Sequence, residues 1–221
     1  MSAPGRSQAL NPEPFKGEGT PVSAPPAEGA SDCLAPVRGW IFDVDGTLVL
    51  GDKRLAGYRP LPGAAALLAR LQALGQPFVA FTNGSTKTPA EYARTLQALD
   101  LPIDAAHMLT PVSVALDLFR RRGHRRLLVL GVEGVWRPLA EAGFDVVISP
   151  QPAADVDAVL VGWHPAFGLA DLEVASQALW AGASFYTVST APFFASAGGR
   201  ALGVSGAIVA ALRSITGRRA V

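Results

Sequence analysis

Cysteine is almost absent: the 221 residues contain one, Cys33. That excludes an internal disulfide and any zinc site built from several thiolates. Histidine is scarce too, and His107, His124 and His164 are too scattered for a short-spaced metal motif. Charge is thin at 17%, and 19 basic against 18 acidic residues leave a formal net charge of +1. Such a balance gives no electrostatic reason to expect nucleic acid or a membrane surface as the main partner. Long apolar runs are missing as well. The richest stretch, Gly203 to Leu212, is about half of the ~18 to 20 residues that a bilayer span needs. The first residues lack the charged-then-apolar layout of a secretory signal, so the expectation is a cytoplasmic protein with no membrane partner.

Apolar residues, by contrast, are plentiful. At 49% hydrophobic, the chain has enough apolar surface for a core, and wholesale disorder is excluded. Residues 1–36 stand apart, because seven of the 18 prolines fall there among Gly, Ser, Ala and Glu. A segment of that composition buries too little to offset its ordering entropy, and a disordered tail is expected. Cys33 at its end reads as an incidental thiol.

From Arg38 onward strand and helix signals alternate. Short apolar runs at 40–44, 77–81, 127–130, 144–148, 156–161 and 184–188 read as strands. Helices are expected over 61–74, from Thr88 to about Leu99, from Thr110 to near Gly123, and over 134–142, 169–181 and 206–216. Thr88-Pro-Ala-Glu91 spells a capping box with Pro at the first helical position, and Gly75 is placed to end the helix before it. Strands alternating with helices of this length indicate parallel sheets of the α/β class. The basic run from Arg120 to Arg126 falls at a helix C-terminus, where cations complement the macrodipole.

Two clusters carry chemistry. Asp43 and Asp45 lie at the end of the first strand, two positions apart, so both side chains can face one site. Gly46 and Thr47 follow them, and the next strand ends in Thr82-Asn83-Gly84-Ser85. In open parallel sheets ligands bind outside the carboxyl ends of the strands. Asp-Gly alone is a common turn dipeptide. Acids and donors at two successive strand ends argue for a ligand site instead.

These residues resemble a known family. Phe42-Asp-Val-Asp-Gly-Thr-Leu48 is similar to the first motif of the haloacid-dehalogenase-like (HAD) phosphatases. Pro62-Gly63-Ala64, then Phe81 to Lys87 and Tyr92, resemble its NagD and 4-nitrophenylphosphatase branch. The resemblance implies a HAD-like Rossmannoid core over 37–104, an inserted α/β cap over 105–217, and the start of a return to the core at 218–221. It also implies a hydrolase of small metabolite phosphates such as nucleotide, sugar or pyridoxal phosphates. Asp43 would be the nucleophile and Asp45 the general acid and base. Magnesium would be held by Asp43 and Asp45, and the phosphoryl group by Thr82, with Asn83, Gly46 and Thr47 assisting.

The sequence departs from that family in two places. The lysine expected after the cap is missing, since the lysines are Lys16, Lys53 and Lys87. The Gly-Asp expected near the end is also missing, since the one Gly-Asp is Gly51-Asp52. A truncated, incomplete core with impaired catalysis is therefore expected. The alternative from a different class is a catalytically silent module that binds phosphorylated ligands or forms a homodimer through the cap. In the cap, His164 stands where the family commonly has an Asp, and it reads as a satisfied polar residue.

Overall fold

In the computed structural model, residues 37–51, 58–196 and 199–221 are described. The expected tail, Cys33, Lys16 and Lys53 lie outside them. Residues Arg38–Val221 form one unit.

The first layer grows from β1 (Trp40–Asp43), which pairs in parallel with β4 (Phe78–Phe81). Two short strands, β2 (Val49–Gly51) and β3 (Tyr58–Pro60), form an antiparallel hairpin that the sequence pattern did not suggest. Helix α1 (Ala64–Ala73) ends ahead of Gly75, as its sequence implies. Helix α2 (Pro89–Gln97) opens on the expected box. Thr88 Oγ1 accepts the Glu91 N–H (3.2 Å), and Glu91 Oε2 accepts the Thr88 N–H (2.8 Å). After a turn of 3-10 helix (Ala105–His107), β5 (Met108–Leu109) joins β4. The sheet order is β1-β4-β5, so this layer reaches past residue 104, where the second was expected to begin.

Alternation decides which face of this sheet is dry. Phe78 and Ala80 are buried with Leu68, Leu71, Leu96 and Met108, and Trp40 and Phe42 pack against them. On the opposite face Ile41 is 75% and Phe81 38% exposed.

The second layer holds α3 (Pro111–Arg122), β6 (Arg126–Leu130), α4 (Glu133–Glu141), β7 (Asp145–Ile148) and β8 (Ala158–Val161). It continues with α5 (Leu169–Trp180), β9 (Ser184–Thr187), the hairpin β10 (Phe193–Ser196) and β11 (Gly199–Leu202), and α6 (Val204–Thr216). Strands β7-β6-β8-β9 form an all-parallel sheet. Its central strands are dry on both faces, which is why they read as unbroken apolar runs. Leu128, Leu130, Val159 and Val161 meet α5 and α6 through Ala175, Leu179, Ile208 and Leu212. Leu127, Val129, Ala158 and Leu160 meet α3 and α4 through Val112, Phe119, Val135 and Leu139. Trp180 is 57% exposed, because Ala178 and Leu179 fill the core from that turn.

Residues 218–221 do not turn toward the first layer. The Val221 N–H donates to the Phe185 carbonyl (3.0 Å), and the Val221 carbonyl accepts the Thr187 N–H (3.1 Å), alongside β9. No helix among the described residues is long and apolar enough to cross a membrane.

Replacing Thr88 with Ala is expected to cost about 1 kcal/mol by loss of the N-cap. The backbone hydrogen bond from Thr88 holds the Glu91 carboxyl below its ordinary pKa, against desolvation, which pushes it up. A lowered carboxylate stabilises fully above its unfolded pKa, and that contribution fades as pH falls through the folded value. Alanine keeps the residue-88 N–H but removes the hydroxyl that also donates to Glu91 Oε2 (3.0 Å), so urea unfolding should show a smaller T88A penalty near pH 3 than at pH 7. Equal penalties would separate the Glu91 carboxylate from the cap.

Candidate active site

The register of β1 and β4 builds the site. Asp43 pairs with Phe81, so the residues after each strand emerge side by side. After β1 the chain folds into a closed loop. The Gly46 N–H donates to the Val49 carbonyl (2.7 Å), and the Leu48 and Val49 N–H groups both donate to the Val44 carbonyl (3.0 Å). Gly46 sits at φ 92°, a region that side chains rarely enter. Val44, Leu48 and Val49 anchor the loop in the first core, leaving Asp43, Asp45, Gly46 and Thr47 exposed.

Beyond β4, Thr82 is fully buried. Its N–H donates to the Leu109 carbonyl (3.1 Å), and its Oγ1 accepts the Gly84 N–H (3.0 Å). Asn83 is exposed next to it. The Thr82 hydroxyl shapes a turn out of reach of solvent, and the Gly46 amide is already paired within its loop. The Thr47 N–H reaches the Val44 carbonyl only at 3.4 Å, so it and Asn83 remain the better-placed donors.

The two acids act on each other. Solvent still reaches Asp45, yet the surrounding chain desolvates its carboxyl, and this raises its pKa. The Asp43 charge raises it further, and Lys87 pulls the other way. Tyr58 and Tyr92 border the same space. Burial pushes both phenols up, and the Asp45 charge adds to each. The Lys87 ammonium lies over both rings, 5.3 Å from the Tyr58 centroid and 5.8 Å from that of Tyr92. The Tyr92 hydroxyl meets Thr86 Oγ1 at 3.3 Å. The sequence pattern gave Lys87 and Tyr92 no role, and Tyr58 none at all. The signal for Tyr92 was its place four residues after Thr88 on the capped helix.

Among the described residues no group of three or more His, Cys, Asp or Glu side chains gathers as a metal centre. The donor set at the strand end is two mutually repelling carboxylates plus main-chain oxygen. It suits a hard cation such as Mg2+, which keeps several waters and needs only one or two carboxylates from the protein. His164 lies in the second layer, where its Nε2 is 3.2 Å from Asp171 Oδ1. Asp171 also accepts the Ser149 hydroxyl and the Gly168 N–H (2.8 Å), so His164 is a satisfied polar residue there.

A family model described as haloacid dehalogenase-like hydrolase matches residues 40–145. Phosphoglycolate phosphatase 1A, chloroplastic, of Arabidopsis thaliana is 27% identical over 158 residues, 63% of this chain and 42% of that protein. Among solved structures, 4-nitrophenylphosphatase from Thermotoga maritima superposes with a TM-score of 0.71 at 25% identity, covering 83% of this chain and 66% of that one. Glycerol phosphate phosphatase from Mycobacterium tuberculosis in complex with calcium gives 0.69 at 25% identity, covering 83% and 52%, and that protein is also known in complex with magnesium. Residues 40–145 thus match the haloacid dehalogenase-like hydrolases, and the fold is similar to that of phosphatases of the NagD and 4-nitrophenylphosphatase kind. The chain spans 42% of the length of the Arabidopsis relative, less than half of that protein.

At Gly84 a Cβ would run into the Tyr92 hydroxyl. Gly84→Ala should therefore cost about 1–3 kcal/mol by overpacking. Adding Tyr92→Phe should recover part of that loss, because it removes the atom in the way. Urea unfolding of the two single variants and the double variant measures the coupling. Strict additivity would show that the turn does not press on Tyr92.

Proposed function

We propose that this site hydrolyses small phosphate monoesters. The observation that best supports this reading is the acid pair itself: Asp43 exposed at the end of a parallel strand, with Asp45 two positions on carrying a raised pKa. A carboxylate oxygen of Asp43 bonds to phosphorus as the ester P–O bond breaks, giving an aspartyl-phosphate. Asp45 holds its proton to a higher pH than an ordinary carboxylic acid and donates it to the departing oxygen. It then takes a proton from the water that attacks phosphorus, releasing inorganic phosphate and restoring Asp43.

Thr47 and Asn83 are the proposed donors to the phosphoryl oxygens, and Thr82 holds the turn that presents Asn83. The Asp43 carboxylate and the Asp45 backbone carbonyl would hold a magnesium ion. When bound, that ion supplies positive charge against the phosphoryl oxygens. The relatives are named as phosphatases of phosphoglycolate, 4-nitrophenyl phosphate and glycerol phosphate, which supports a small monoester as substrate.

The alternative reading is retention of phosphorylated ligands without turnover. Hydrolysis of 4-nitrophenyl phosphate with magnesium separates the two. Turnover that falls at least about a thousandfold in Asp43→Asn supports the nucleophile assignment. A variant as active as the parent overturns it. Binding without turnover at any magnesium concentration favours the second reading.

A further inference from the structure

Helix α4 is seated by glycines on two sides. Gly131 follows β6 and Gly162 follows β8. A Cβ on Gly131 would lie 2.7 Å from the Val135 side chain, and one on Gly162 would lie 2.5 Å from it. Val135 is fully buried between these two strand ends, and this sets the height of α4 over the second sheet. The Val132 N–H donates to the Trp163 carbonyl (2.9 Å), which ties the start of the helix to the end of β8.

The residue before Val135 meets the first layer. A Cβ on Gly134 would lie 2.5 Å from the Lys87 nitrogen and 2.7 Å from the Thr86 carbonyl oxygen. Main chain therefore touches main chain, an approach that only glycine permits. From Thr86 the contacts run on to the end of β4. Thr86 Oγ1 meets the Tyr92 hydroxyl at 3.3 Å, and that hydroxyl fills the space where a Cβ on Gly84 would stand. The Gly84 N–H donates to the buried Thr82 hydroxyl (3.0 Å), and Asn83 lies between those two residues.

We propose that α4 positions the turn that binds the phosphoryl group: Gly134, acting through Thr86, Tyr92 and Gly84, sets the pose in which Asn83 donates to a phosphoryl oxygen. Gly134 is a positioning residue and touches no substrate. The inference rests on reading Asn83 as a phosphoryl donor, and adds a helix of the second layer to that site.

Calorimetric titration of the full chain with inorganic phosphate, in magnesium buffer, tests it without requiring turnover. Asn83→Ala should weaken phosphate about tenfold, as loss of a hydrogen bond to a charged group does. Gly134→Ala should weaken it about fivefold, but less than about twofold once Asn83 is already Ala. A purely structural loss would add in full to that of Asn83→Ala. Thr86→Val keeps the side-chain shape and removes the hydroxyl, so it breaks the same path without a clash. It should weaken phosphate about threefold, again only while Asn83 is present, and it decides the matter if the Gly134 variant does not fold. Gly143→Ala controls for stability alone. Gly143 sits at φ 89° just past α4, where alanine is strained, and its Cβ would meet nothing within 4 Å. That variant should unfold at lower temperature and bind phosphate like the parent. Parent-like affinity in both the Gly134 and Thr86 variants overturns the inference, and so do losses that add in full to that of Asn83→Ala. A Gly143→Ala loss as large as that of Gly134→Ala overturns it too. A parent that binds no phosphate, or an Asn83 variant that binds like the parent, overturns the donor reading and the inference with it.

Discussion

Parallel pairing of β1 with β4 sets Asp43 level with Phe81, and the site depends on that register. A slip of one residue would turn Asp43 to the face where Phe42 and Ala80 now pack, and bring Phe42 out to the face that Ile41 now occupies. The apolar contacts of Trp40, Phe42, Phe78 and Ala80 with α1 and α2 resist that slip. Core packing therefore fixes the aspartates, although neither of them is buried.

The local electrostatics follow from that placement. Two acids two positions apart push on one another, desolvation raises Asp45, and two half-buried or buried tyrosines line the space with little charge of their own. The Lys87 ammonium lies over the Tyr58 and Tyr92 rings.

Much of this architecture is legible in the sequence because its signals are local. Thr88-Pro-Ala-Glu91 and Thr110-Pro111 are read as helix starts because side-chain oxygen, fixed φ and missing N–H act within four residues. Strands β6 and β8 are legible as apolar runs because both of their faces are dry. The hairpins β2–β3 and β10–β11 escaped, being three or four residues long and lacking the Asn-Gly or Asp-Gly turn that marks a tight hairpin. Asp43 and Asp45 were legible from spacing alone. The partners of Thr82 and Gly46 were not, since a motif names a donor without saying which carbonyl it already serves. Nor was the approach of Tyr58, Lys87 and Tyr92 to Asp45, which only the return of the chain through β3 and α2 creates.

The contact at Gly134 has a mechanical consequence. The backbone of Thr86 and Lys87 touches the first turn of α4, so the loop that ends the first sheet is braced by a helix of the second layer. That brace has no side chain in it, hence no rotamer to absorb a displacement. A tilt of α4 would be passed to Lys87 as a push on its main chain. A bulkier residue at position 134 would have to displace that backbone before it could fit.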